Sequence, residues 1–121
     1  DWITSFIPLY LKTTYKNDPL FKNTKSVFTI YNNTFTHKFK SDILEKVKMM
    51  DIEDNMLSSL KTADFEGFIK IGAQFADIVS VSGDKKKLEG LMKKIKEKKV
   101  ESFEDENYAD SFYNLYTELA G

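Results

Sequence analysis

Tyr31 and Asn32 close the run Lys25–Asn33, KSVFTIYNN, and they are the first residues whose types and placement suggest chemistry. A phenol can donate a hydrogen bond to a ligand, and a carboxamide can fix its orientation. The competing reading of Tyr31 is an aromatic at a strand end, packed into the core. Ser82-Gly83 closes a second apolar run ahead of a helical pattern. Backbone amides at such a helix start could meet a phosphate or a sugar hydroxyl; an ordinary helix cap is the plainer alternative. His37 is the single histidine and lies in a polar stretch with no nucleophile or orienting acid beside it, so it reads as surface. Asp51, Glu53 and Asp54 gather carboxylates without a matching ring of oxygen ligands and read as a solvated face. No Gly-x-Gly-x-x-Gly and no Walker A pattern occurs, which argues against a self-contained nucleotide loop.

Composition narrows the remaining classes. The chain has 121 residues, a formal charge of -1, 41% apolar and 31% charged residues, the profile of one ordinary globular domain. Ten Phe and six Tyr are a heavy aromatic load for this length and predict a dense core or surface that a neighbour covers. With no cysteine and one histidine, disulfide frameworks, thiolate metal sites and multi-histidine zinc sites are excluded. No apolar run reaches the roughly 18 residues of a spanning segment, and the start lacks the basic region of a signal peptide. These features predict a cytoplasmic protein without membrane contact. Residues 84–99 hold eight lysines against three acids, but no arginine and no interleaved aromatics, and residues 101–121 hold six acids and no base. Lysine stripes do contact phosphates, yet this internal compensation argues against nucleic acid as a partner.

The elements that must position the candidates follow from periodicity. Trp2–Tyr15 has apolar residues at helical spacing, with Pro8 expected to kink the helix or to start its main body. Lys16-Asn17-Asp18-Pro19 breaks it, and Leu20 and Phe21 are expected to pack back as a turn. Lys25–Tyr31, rich in β-branched and aromatic residues, predicts a buried parallel strand. Residues 32–41 form a loop anchored by Phe35 and Phe39. Ser41 or Asp42, with Glu45, can cap a short helix, and a second short helix over Ile52–Leu60 reads as a surface excursion. Asp64 can cap a helix over 65–76 in which Gly72 allows a neighbouring backbone to come close. Asp77–Ser82 predicts the second strand, 85–98 an amphipathic helix, Val100–Phe103 a short third strand or a linker, and 104–119 a last helix. This order is half of a doubly wound fold, with ligand-contacting loops at the carboxyl ends of the strands. Parallel sheets need covered faces and several neighbours. Two or three strands, and a chain starting at Asp1 inside a helical pattern, predict a piece of a longer polypeptide or a sheet completed by a second copy.

Several motifs carry a resemblance. Asp1-Trp2-Ile3-Thr4, followed by Pro8-Leu9-Tyr10-Leu11-Lys12 and Tyr15-Lys16, resembles the Asp-Trp-His-Thr segment of bacterial glycogen synthases and plant starch synthases. Val27–Asn32 resembles that family's Phe-Thr-Ile-His-Asn strand. Phe68-Ile69-Lys70 with Gly72, Phe75-Ala76-Asp77 and Val79-Ser80-Val81-Ser82 resemble its Phe-Leu-Lys-x-Gly, Tyr-Ala-Asp and Thr-Val-Ser block. The resemblance covers about residues 1–83. It implies an α/β fold: a partial Rossmann-like parallel sheet with flanking helices, the latter part of the N-terminal domain of a retaining GT-B glycosyltransferase, over residues 1–121. It implies glucose transfer from ADP-glucose or UDP-glucose to an α-1,4-glucan, with no cofactor and no metal beyond the donor sugar nucleotide. Tyr31 stands where the family has the strand-end histidine assigned to transfer, and Ile3 where it has the first-motif histidine. The resemblance places Asn32, Thr4 and Ser82 as substrate-binding residues lining the cleft, though Thr4 and Ser82 can equally serve as helix caps. Imidazole holds a proton near neutral pH; isoleucine cannot, and tyrosine, with a pKa near 10, is a poor charged partner. The isolated chain, half a cleft without the second domain, is expected to be inactive in transfer. The alternatives are a glucan-binding or regulatory module without catalysis, and a structural module forming a swapped dimer.

Overall fold

The computed structural model describes residues 1–121 except 32, 41, 49–50, 84, 96–99 and 104–106. The centre is a three-stranded sheet of β1 (Val27–Ile30), β2 (Ile78–Ser82) and β3 (Val100–Phe103), in the order β1-β2-β3. Both pairings are parallel, with Val27 opposite Ile78, Ile30 opposite Val81, Val79 opposite Val100 and Ser82 opposite Phe103. The third strand that the sequence left open against a linker is therefore present. Parallel neighbours need long crossovers, and the chain supplies helical ones. Between β1 and β2 come α2 (Ile43–Val47), a 3₁₀ segment (Asp54–Leu60) and α3 (Phe65–Phe75); between β2 and β3 comes α4 (Lys85–Met92). A 3₁₀ turn (Trp2–Thr4) and α1 (Phe6–Lys12) precede the sheet, and α5 (Tyr108–Ala120) follows it.

The period of two along β1 and β2 sorts the strands into two faces. Phe28, Ile30, Val79 and Val81 are buried with Ile69 and Ala73 of α3 and Leu88 of α4, so both crossover helices lie on one face. The opposite face carries Thr29 and Ser80, whose hydroxyl oxygens lie 2.7 Å apart, and this bond satisfies the fully buried Ser80.

Helix α3 is the hub. Six of its eleven residues are buried, among them Phe68, Ile69, Ile71 and Ala73, and a helix apolar around most of its girth belongs inside. One side meets the sheet. The other meets a second core of Leu9, Val47, Ile52, Leu57 and Leu60. Asp64 caps α3 as expected, its carboxylate accepting from the Gly67 amide at 2.9 Å. A methyl group at Gly72 would lie 2.5 Å from Phe28 Cζ, so the close neighbour is the β1 aromatic ring rather than a backbone.

Other local expectations are corrected. Leu57 and Leu60 are core residues, so the 3₁₀ segment is no surface excursion; its polar residues occupy the outward side only. Leu20 is 83% exposed and does not pack back, while Phe21 meets the Tyr15 ring. Asp42 stands at the start of α2 without capping it and pairs instead with Lys46 at 2.8 Å. Pro8 is the third residue of α1, where the first-turn amides have no intrahelical acceptor in any case, which fits the expectation that it starts the main body of the helix.

Candidate functional site

The carboxyl ends of the three strands define one edge of the sheet. Ile30 and Val81 are the last paired residues of β1 and β2, and Tyr31 and Ser82 follow them at this edge. Tyr31 is 40% exposed, so its ring is no core residue. Ser82 is half-buried, and Gly83, with φ 115, turns the chain out of β2 ahead of α4. Asn32 lies outside the described residues.

The N-terminal 3₁₀ turn is held beside this edge. Trp2 packs edge-on against Phe35 at 4.7 Å and against Phe68 of α3 at 5.8 Å, and Phe39 meets Phe68 at 5.2 Å. This aromatic set staples both the turn and the loop after β1 onto α3. The Asp1 carboxylate accepts from the Asn33 carboxamide at 3.4 Å, two residues past Tyr31. Thr4 is exposed, but its hydroxyl is engaged: it donates to the Asp1 carbonyl at 2.9 Å and accepts from the Asp1 ammonium at 3.3 Å, completing a capping box. Ile3, in the same turn, is 71% exposed. Asp1 and Trp2 thus tie the N-terminal turn to the loop after Tyr31, while the strands bring Tyr31 and Ser82 to the same sheet edge.

Chemically, this edge offers a phenol, hydroxyls, a carboxamide and backbone amides. Those groups recognise hydroxyl-bearing ligands by hydrogen bonding. His37, on the same loop, is exposed and its ring lies 4.9 Å from Phe35 and 5.4 Å from Phe39. Sequence reading placed it on the surface and missed the ring contacts, although the alternation Phe35-x-His37-x-Phe39 was the available signal. Two of the three clustered acids are otherwise engaged. Asp54 pairs with Lys48 at 2.7 Å, and Glu53 accepts from Asn55 at 3.1 Å. Among the described residues no three His, Asp or Glu side chains gather as metal ligands.

At the opposite end of the strands sits a structural pin that sequence reading took only as the start of a strand. One Asp77 carboxylate oxygen pairs with Lys12 at 2.8 Å, and the other accepts from the Ser26 amide at 2.8 Å. Burial alone would raise the Asp77 pKa; the Lys12 and Ser26 hydrogen bonds and the Lys12 charge outweigh it and hold the carboxyl below its ordinary range. Lys94, in the turn just past α4, bonds both oxygens of Glu66 on α3 at 2.8 and 2.9 Å. These bonds, with that from Lys70, lower the Glu66 pKa.

Residues 1–97 match the starch synthase catalytic domain family. The chain belongs to that family. Starch synthase-type relatives include the glycogen synthase of Pseudothermotoga lettingae, 35% identical over 83 residues, and that of Thermotoga maritima, 34% identical over 83 residues; each match takes in 66% of this chain and 16% of the relative. The glycogen synthase of Clostridium perfringens is 35% identical over 83 residues, 68% of this chain and 17% of that protein. The chain thus spans about a sixth of the length of these relatives. No solved structure matches. Within this starch synthase-family chain, Thr4, Tyr31 and Ser82 all fall in the matched portion, whereas β3 and α5 follow it.

Proposed function

We propose that this chain is the latter part of the N-terminal domain of a glycogen or starch synthase-like glucosyltransferase, and that its strand-end edge contributes one wall of the sugar cleft. The observation that carries this reading is the side-by-side placement of Tyr31 and Ser82 at the carboxyl edge of a parallel sheet, the place where α/β sheets bind ligands. In the parent protein the donor is ADP-glucose or UDP-glucose and the acceptor an α-1,4-glucan. Tyr31 hydrogen-bonds a sugar hydroxyl, and Ser82, Thr4 and Asn32 orient the glucosyl unit. The contribution of Tyr31 is recognition and positioning through its phenol hydroxyl. One wall lacks the preorganised groups that stabilise a separating sugar and diphosphate, and the chain alone therefore binds sugar without transferring it.

Two measurements test this. Incubating the chain with labelled ADP-glucose and glycogen is expected to leave the glycogen unlabelled; efficient labelling overturns the single-wall reading. Titration with maltoheptaose, followed by amide NMR, is expected to shift Tyr31, Ser82 and Gly83 at millimolar ligand. Unmoved amides at that edge overturn its assignment as a glucan site. The runner-up, a glucan-binding module without catalysis, is favoured by Ile3 and Tyr31 standing where the family's motifs have histidine. A parent protein lacking the second domain would decide for it.

A further inference from the structure

Gly90 lies inside α4, where glycine costs helix propensity relative to every residue but proline. It is exposed, and a methyl group there would meet no described atom within 4 Å. Gly72 and Gly67 are different: they sit against the Phe28 ring and the Ser59 carbonyl. No described part of its own chain therefore requires a glycine at 90. Lys86 stands four residues before it and Lys93 three residues after. The Lys93 amide donates to the Glu89 carbonyl at 3.0 Å, so the helical path runs on that far. Lys86, Gly90 and Lys93 thus share one exposed face, on the far side of α4 from the buried Leu88. The face is a flat spot between two lysines. Lys93 pairs with Glu89, but both side chains stay well exposed, and such a pair holds neither tightly.

Helix α5 has the converse surface. Tyr113 is 70% exposed and Tyr116 52%, while Leu115, on the far side of the helix from Tyr113, is buried. The exposed rings are therefore not the groups that hold α5 in place. Asp110 is exposed one turn before Tyr113 and on the same side. The helix contains no lysine or arginine.

The two surfaces are complementary in shape and in charge. A tyrosine ring fits over a residue without a side chain, and flanking lysines lay their stems along it and their ammonium groups against its face or a neighbouring acid. Residues 84–99 hold eight lysines and three acids, and residues 101–121 hold six acids and no base. The open space around Gly90 shows that the α5 of the same chain does not fill the spot. An unrelated acidic partner would account for Gly90 and leave the tyrosines uncovered, and a basic partner would do the reverse. A second copy of this chain covers both at once.

We infer that the Lys86–Gly90–Lys93 face of α4 receives the Tyr113 face of α5 from a second copy, and reciprocally, so that two equal contacts close a two-fold dimer. No element is exchanged between the copies. None of these residues belongs to the strand-end edge, so loss of the dimer leaves the proposed function standing.

The test is sedimentation equilibrium of the full chain. At about 100 μM and low salt a dimer is expected, and raising the salt to about 0.5 M should weaken it by screening the opposed charges. Tyr113→Ala and Gly90→Gln are each expected to weaken self-association about tenfold. Both positions are exposed and Gln is a better helix former than Gly, so both variants should fold, which unchanged β2 amide shifts verify. Mixing the two variants is the decisive arm. Each variant alone has lost both contacts, whereas the mixed pair regains one, the intact α5 of Gly90→Gln on the intact α4 of Tyr113→Ala. The mixture is expected to associate more tightly than either variant alone. A wild-type monomer at about 100 μM overturns the dimer. A dimer that both variants leave intact overturns this face, and a mixture no tighter than its components overturns the reciprocal pairing.

Discussion

Gly72 and Asp77 show how single side chains join the layers that carry the site. A methyl group at Gly72 would improve helix propensity by about 1 kcal/mol. It would also come within 2.5–2.8 Å of three atoms of the Phe28 ring, itself only 2% exposed. Overpacking of that kind costs about 1–3 kcal/mol, and a ring enclosed on every side sits at the upper end. Gly72→Ala should therefore destabilise the protein by about 1–2 kcal/mol in urea denaturation, and Phe28→Leu should recover part of the loss by coupling. An additive double variant would show that the two residues do not touch. Asp77 acts through charge. Its pKa is depressed in the folded protein, so its stabilising contribution is complete above the unfolded value of roughly 4 and is lost as pH falls through the lower folded value. Asp77→Asn should cost about 1–3 kcal/mol at pH 7, and the gap from wild type should close as acid is added below about pH 4. A gap independent of pH would remove the Lys12–Asp77–Ser26 pin. The need for a glycine at 72 was legible in the sequence because helices rarely tolerate one without reason. That the neighbour is an aromatic ring was not, since it depends on which face of β1 meets α3.

Among the elements, α3 and β2 carry the most packing. The Ile78–Val81 stretch of β2 is buried and lies between two strands, whereas β1 has a strand on one side only among the described residues. Helix α5 buries a single residue, Leu115. Amide exchange should therefore be slowest in β2 and α3 and fastest in α5, because protection follows buried contact. Leu115→Ala should speed exchange in α5 while leaving β2 protected; loss of protection in both would mean that α5 belongs to the same cooperative unit. Two strands and the α3 cap were legible from β-branched runs and from Asp64, signals that are local, whereas the third strand was left open against a linker. The 3₁₀ segment over 54–60 was misread as surface because its polar residues outnumber Leu57 and Leu60. The side that faces α3 is fixed by packing, which local composition does not record. The aromatic staple of Trp2, Phe35, Phe39 and Phe68 was visible only as a surplus of phenylalanine, with no indication of which rings would meet.

For the molecule as a whole, two routes converge on one edge: parallel register brings Tyr31 beside Ser82, and aromatic packing brings the Trp2–Thr4 turn alongside the Asn33 loop. The family motifs located these residues in the sequence, and the register sets positions 51 residues apart at one sheet edge. Asn32, the remaining candidate, is outside the described residues. The sheet itself is small for a parallel one, which in this family fits a portion of a larger catalytic domain. Glucan binding at the strand-end edge is the claim on which the account turns. It is tested most directly by calorimetric titration of maltoheptaose into the wild-type chain and into Tyr31→Ala. The account predicts millimolar binding by the wild type and its loss in the variant. Equal binding by the two, or none by the wild type, would contradict it.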